Sequence, residues 1–421
     1  MNGRMTRRVF GLLATTAAIS AAAGRGMAQA PAGEPIRIGF SMPLSGALAG
    51  NGRPALLAQQ VWAEDINARG GLLGRSVELV FYDDQSNGAS VPGIYTKLLD
   101  VDKVDLVISS YGTALIAPAM PVVMRRGMAF VSLLGSSTNE MFKYSRAANI
   151  SPVGSKMNED FAKGFFEIAR GLNPAPATLS IAGLDSDFSN RAMESARKQA
   201  QLHGIEVVYD RAYPPSTVDF SPIVRAIQSA APDLVFFASY PPDSVGLLKA
   251  AGELKLTAKM LGGGMIGPQV TAIKAQLGAQ LNNLVCWDVY APEPTMTFPG
   301  TAAFLDRYRA AAEAKGAETL GLYAPPLAYA QMQVLEQAVT RAGSLDQAII
   351  GAALHSEPFP TIIGELRFDQ TGEWVEERNI YIQYQGVTGN DLAQFKKPGT
   401  QVILYPPQYR SGELRPGFPA A

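Results

Sequence analysis

The chain has one cysteine, Cys286, and two histidines, His203 and His355, in 421 residues. A single thiol excludes a disulfide framework and any site built from several thiolates. Two histidines leave little material for a histidine-based metal centre or catalytic triad. Charge is also scarce, at 17% of residues, with 36 basic against 37 acidic side chains. The resulting net charge of −1 offers no basic footprint, so no nucleic-acid partner is expected. No Walker loop, nucleophile-elbow serine or H-E-x-x-H occurs. What is present is apolar: 47% hydrophobic residues, too many for a disordered chain. The length suits two domains, because single cores stop growing near ~250–300 residues.

Residues 1–30 read as an export signal, to be left out of fold reasoning. Arg4, Arg7 and Arg8 precede an apolar run from Val9 to Ala23, and small residues end at Ala28-Gln29-Ala30. The run is short of the ~20 residues a membrane-spanning helix needs. Thr6-Arg7-Arg8-Val9-Phe10 resembles a twin-arginine signal, and an ordinary export signal stays open beside it. Cleavage fits after Ala30 or, because Pro31 disfavours that cut, after Ala28. Without the leader the chain carries 32 basic and 37 acidic residues. No later stretch spans a bilayer, and no leader cysteine is there to carry a lipid. A periplasmic location is expected.

The mature chain alternates strand and helix. Ile36–Phe40, Val77–Tyr82, Asp105–Ser109 and Met128–Ser132 read as strands, separated by helical patterns over Pro54–Asn67, Val91–Leu99 and Pro121–Arg126. The rhythm then restarts. Strands at Ala177–Ala182, Ile205–Val208 and Leu234–Ala238 interleave with helices at Phe161–Gly171, Asn190–His203, Phe220–Ser229 and Ser244–Leu254. Helices at Phe304–Ala314 and Ala328–Ala342 follow, then a strand at Ile380–Tyr384 and a Pro-rich surface tail from Pro406. This predicts an α/β protein with two parallel sheets wrapped by helices. Such sheets bind ligands beyond the carboxyl ends of their strands, and two facing lobes form a cleft.

Asp65-Ile66-Asn67-Ala68-Arg69-Gly70-Gly71-Leu72-Leu73-Gly74, followed by Tyr82-Asp83-Asp84, resembles the leucine/isoleucine/valine-binding protein family, the solute receptors of ABC importers. Pro43-Leu44-Ser45-Gly46, Pro118-Ala119, Ser239-Tyr240 and the run Gly364–Gly372 extend the likeness over nearly the whole mature chain. The resemblance implies the two-lobed periplasmic-binding-protein fold, with three crossovers and a central cleft. Residues 31–151 and 288–362 then form lobe 1, residues 152–287 and 363–405 form lobe 2, and 406–421 a C-terminal arm. It implies capture of a small-molecule ligand for a membrane permease, by a monomer, with no cofactor, no metal and no catalysis.

The family's anion-binding loops match Ser110–Ala114 and Leu133–Ser137. Thr113 and Ser136 fall on hydroxyl positions and Leu134 on a backbone-contact position. Short donors and free N–H groups can hold a carboxylate, although Ser and Thr after a strand also simply cap helices. In the second lobe Phe188 replaces an aromatic hydroxyl, Tyr240 keeps one, and the glutamate that pairs a ligand ammonium falls at about Gly264. A pocket with anion donors and no acid is expected to take a carboxylate lacking an α-ammonium, since a buried unpaired charge is costly. Space beside Phe188, Tyr240, Tyr111 and Tyr323 suits an aromatic or apolar acid, and Asn51 stands ready to read an extra polar group. A shift of two or three residues would instead recruit Asp185 or Asp187 and restore an amino-acid receptor.

Three features read as decoys. Gly262-Gly263-Gly264-Met265-Ile266-Gly267 fits G-x-G-x-x-G, but Pro268 follows and the expected acid is missing. Asp83 and Asp84 are adjacent on a strand, so they point to opposite faces and serve to fix loops. Cys286 reads as a buried small hydrophobe, and both histidines as solvent-facing. A ligand sensor of the same fold and a periplasmic enzyme are the other functional classes. A neighbouring permease gene, or turnover of a bound acid, would separate them.

Overall fold

The computed structural model describes residues 33–419, so the leader lies outside the described residues. The first sheet holds β1 (Ile36–Met42), β2 (Val77–Asp83), β3 (Leu106–Tyr111), β4 (Phe130–Leu133) and β5 (Ala147–Ile150). It is wholly parallel, in the order β2-β1-β3-β4-β5. Its strands read as apolar runs because helices cover both faces. β1, for example, buries Ile36, Ile38, Phe40 and Met42, while Gly39 has Val104 pressed against it.

The second sheet holds β6 (Thr178–Leu184), β7 (Glu206–Tyr213), β8 (Leu234–Ser239), β9 (Met260–Met265) and β10 (Val285–Asp288). After a small hairpin of β11 (Phe359–Thr361) and β12 (Gly364–Leu366), β13 (Ile380–Tyr384) and β14 (Gln401–Tyr405) complete it. The order is β14-β13-β10-β9-β8-β6-β7, parallel from β7 to β10, with β13 and β14 antiparallel at one edge. Two parallel-dominated sheets flanked by helices are the architecture that the alternation predicted.

The chain passes between the sheets three times. After β10, helices Thr301–Ala314 and Ala324–Ala342 return to the first sheet. There Gln331 donates to the Val131 carbonyl (2.8 Å) and accepts from buried Gln59 (2.9 Å), a satisfied polar pair within an apolar layer. Residues 369–373 also lie against β5: the Asn149 N–H donates to the Gly372 carbonyl (2.8 Å), and the Asn149 side chain to Glu373 (2.9 Å). We therefore propose the lobe limits implied by the resemblance except the last, moving the third passage from residues 362–363 to a point after Trp374.

Local chemistry disposes of the decoys. Gly262–Gly264 form the body of β9: a Cβ at Gly262 would fall 1.7 Å from the Val285 carbonyl oxygen, so glycine here allows close strand packing. Asp83 accepts from the Leu44 N–H and the Ser45 hydroxyl, and Asp84 from the Ser110 hydroxyl, so each ties a loop to the first sheet. Cys286 is buried and free. The histidines need correction, because both are half-buried. His203 stacks on Phe166 at 5.7 Å, and the two ring nitrogens of His355 lie 2.8 and 3.1 Å from the carbonyls of Asp369 and Ser145. In the tail, Phe418 is buried and bridges Ala258. Among the described residues no helix is long and apolar enough to cross a membrane.

Candidate functional site

The carboxyl ends of both sheets meet around one small cavity. Tyr111 ends β3 and Gly112 and Thr113 follow it, Leu134 and Ser136 follow β4, and Ser151 and Val153 follow β5. From the second sheet, Phe188 follows β6, Tyr240 follows β8, Ile266 follows β9, and Trp287 lies in β10; Tyr323, just before helix Ala324–Ala342, completes the wall. Strand ends supply this convergence because parallel strands with helical crossovers place their loops on one edge. The space left is about 20 Å³, enough for a water.

The first-lobe loops are tightly held. Gly112 turns β3 into a short helical segment at φ +84°, and its N–H donates to the Leu133 carbonyl (3.0 Å). Leu134 and Ser137 take left-handed backbone angles, φ +59° and +49°. Non-glycine residues rarely adopt them, and such strain gathers at ligand clamps. The Ser136 N–H donates to Thr113 Oγ1 at 2.9 Å. With one lone pair of Thr113 engaged in this way, its O–H proton is available to a ligand acceptor. The Leu134 N–H is committed to the Ile150 carbonyl (3.0 Å) and that of Gly135 to Asn149 Oδ1 (3.1 Å). Leu134 thus lines the cavity without a free backbone donor.

The second lobe contributes rings. Phe188 lies 5.7 Å from Tyr240 and 6.4 Å from Trp287, and Phe161 backs Phe188 and Trp287 at 5.7 and 5.3 Å. The Trp287 indole N–H donates to Asn379 Oδ1 (2.9 Å), which fixes the ring. Asp243 orients Tyr240 by accepting its backbone N–H (3.0 Å), and accepts also from the Tyr213 hydroxyl (2.5 Å). Burial pushes the Asp243 carboxyl up to about 6. Across the cavity the Tyr111 and Tyr323 hydroxyls are 3.1 Å apart. Burial raises the pKa of Tyr111, Tyr240 and Tyr323, so all three stay neutral donors.

Seven of the residues singled out in the sequence line this one cavity: Thr113, Ser136, Leu134, Tyr111, Phe188, Tyr240 and Tyr323. Asn51 lines an adjoining compartment that shares Tyr323. Gly264 is not brought in, because a Cβ there would meet the Phe161 ring at 2.9 Å. The β9 loop instead presents Ile266. Asp185 and Asp187 are exposed and line no part of the cavity. Ile266, Trp287, Ser151 and Val153 were missed; reading Val285–Asp288 as a strand would have pointed to Trp287 at a carboxyl end. None of the twelve lining side chains is charged.

The profile of the periplasmic binding protein family matches residues 35–384. A Leu/Ile/Val-binding protein homolog of Brucella abortus is 27% identical over 403 residues, covering 92% of this chain and 95% of the relative. The fold matches a leucine-binding protein from Thermotoga maritima (TM-score 0.71, 20% identity, 83% of this chain and 96% of that one). It equally matches an R. palustris ABC-transporter solute-binding protein in complex with benzoate (TM-score 0.71, 16% identity, 91% and 97%). The chain therefore belongs to the periplasmic binding protein family, as a two-lobed solute-binding receptor related to the Leu/Ile/Val-binding proteins.

Proposed function

We propose that this receptor serves an ABC importer in the periplasm and closes on a small aromatic or apolar carboxylate that lacks an α-ammonium group. The observation that carries the reading is the uncharged cavity wall: hydroxyls at Thr113, Ser136 and Ser151 on one lobe, and Phe188, Tyr240 and Trp287 on the other. The hydroxyls satisfy a carboxylate, as charge-assisted hydrogen bonds do in other anion sites. An α-ammonium would be buried with no carboxylate on the cavity wall to pair it, a cost of several kcal/mol. The ring wall rewards burial of a flat apolar body. The benzoate and p-hydroxybenzoic acid held by R. palustris neighbours of this fold support the same ligand class. A benzoate-sized ligand exceeds a cavity of about 20 Å³, so in this reading the lobes part to admit it and then reclose.

A second reading, a hydrophobic amino-acid receptor, draws on the Leu/Ile/Val-binding relatives. Thermal unfolding of the mature chain against benzoates, 2-oxo acids and branched amino acids separates the two. Saturation to 100 times the dissociation constant stabilises by about 2.7 kcal/mol, a visible rise in midpoint. Aromatic acids should raise it and leucine should not. The reverse result transfers the site to amino acids.

A further inference from the structure

The 133–137 loop carries Leu134 and Ser136 to the cavity, and it is gripped from behind by a side chain outside the cavity wall. Asn149, in β5, is 3% exposed, and its amide uses every hydrogen-bonding position it has. Its Oδ1 accepts the Gly135 N–H (3.1 Å) and the Ser132 hydroxyl (3.0 Å). Its Nδ2 donates to the Gly135 carbonyl (2.5 Å) and to Glu373 Oε2 (2.9 Å). By holding both the N–H and the C=O of one residue, the amide does for Gly135 what a neighbouring strand would do. Only one orientation serves, since a flipped amide would set N–H against N–H and C=O against C=O.

The grip leaves no room at Gly135. A Cβ there would meet Thr138 Oγ1 at 2.8 Å, the Ile116 side chain at 3.2 Å and Asn149 Oδ1 at 3.3 Å. On either side, Leu134 and Ser137 hold left-handed angles that non-glycine backbone seldom takes unaided. Glu373 reaches Asn149 from the segment that leads back toward the second lobe. It is 1% exposed, and its own backbone is fixed, because Asp369 Oδ1 accepts the N–H groups of Thr371 (2.8 Å) and Glu373 (3.1 Å). A Cβ on Gly372 would fall 2.2 Å from the Ala147 carbonyl oxygen, so this turn lies hard against β5.

We propose that Asn149 is the positioning residue of the anion loop, and that Glu373 locks it from the third passage between the lobes. The inference rests on the reading of the main cavity as a carboxylate site. Asn149 touches no ligand. It sets Gly135, so that the Ser136 N–H meets Thr113 Oγ1 and both side chains line the cavity. Aspartate would keep the acceptor and lose both donors, and glutamine would be one methylene too long for the space.

Two measurements on the full mature chain test this: hydrogen–deuterium exchange across residues 133–137, which needs no ligand, and calorimetry with benzoate and benzamide. In Asn149→Leu the loop amides should exchange at least about tenfold faster, with those of β8 unchanged. Benzoate affinity should fall at least about tenfold and benzamide affinity by less than about threefold, a split that a general loss of stability does not produce. Glu373→Leu should give the same split in smaller degree. Glu373→Gln keeps an oxygen for the Asn149 amide and should restore the wild-type values. Should Asn149→Leu not fold, the two Glu373 variants decide alone. Unchanged loop exchange, a loosened loop that still binds benzoate as the wild type does, or equal behaviour of Glu373→Leu and Glu373→Gln overturns the assignment. If the wild type binds no benzoate, the reading of the main cavity falls, while exchange still decides whether Asn149 sets the loop.

Discussion

Thr113→Val isolates the anion-binding step. Valine keeps the β-branched shape and volume of threonine and removes only the hydroxyl. In the structure that oxygen accepts the Ser136 N–H at 2.9 Å, leaving its proton for the proposed ligand carboxylate. A hydrogen bond to a charged group contributes about 1.5–3 kcal/mol, so benzoate affinity should fall by roughly 10- to 150-fold. The orphaned Ser136 N–H adds a separate cost of about 1–3 kcal/mol to the free protein, read as a midpoint lower by several degrees. Calorimetry with benzoate and with the uncharged benzamide separates the two effects, because benzamide should lose much less affinity than benzoate. The reasoning fails if the folded variant binds benzoate within about threefold of wild type, or if both ligands weaken equally.

Other consequences can be checked independently. Gly264→Ala should destabilise by about 1–3 kcal/mol through overpacking against Phe161, with ligand affinity unchanged; a loss of binding without a loss of stability would return Gly264 to the cleft. Burial raises the Glu373 carboxyl from 4.5 to about 8, so its proton is held more tightly in the folded state. Its contribution to stability is full below pH 4.5 and is lost as pH rises toward 8. Urea midpoints should fall over that window, less steeply in Glu373→Gln; equal slopes would refute the assignment. Cys286 is buried and its thiol is held protonated by burial, so a thiol-reactive dye should label it only on unfolding. Rapid labelling of the native protein would contradict the packing.

The rhythm of strands and helices was legible because each element carries its own signal. Apolar runs such as Ile36–Phe40 mark strands covered on both faces, and Gly204 marks the end of helix Asp187–His203 by taking the left-handed cap. Three short strands were not read, β5, β10 and β14, with four or five residues each: so brief an apolar run shows no period of its own, although β4 and β13 are no longer and were read. The site follows the same division. Thr113 and Ser136 were readable because local loop motifs carry them. Gly264 was misplaced because a strand alternates faces, and only the register of β9 against β8 and the position of Phe161 decide which residue reaches the cleft.

Some properties therefore belong to the sequence alone. The shortage of cysteine, histidine and charge, the α/β alternation and the family-like loops are fixed by composition and local pattern. Tertiary structure decided the rest. It brought Trp287 and Ile266 to the same cavity as Thr113, turned Gly264 into a packing contact, and set Asn51 and Gln269, more than two hundred positions apart, on one small compartment. Each depends on which strand ends converge between two lobes, and no local stretch of sequence encodes that convergence.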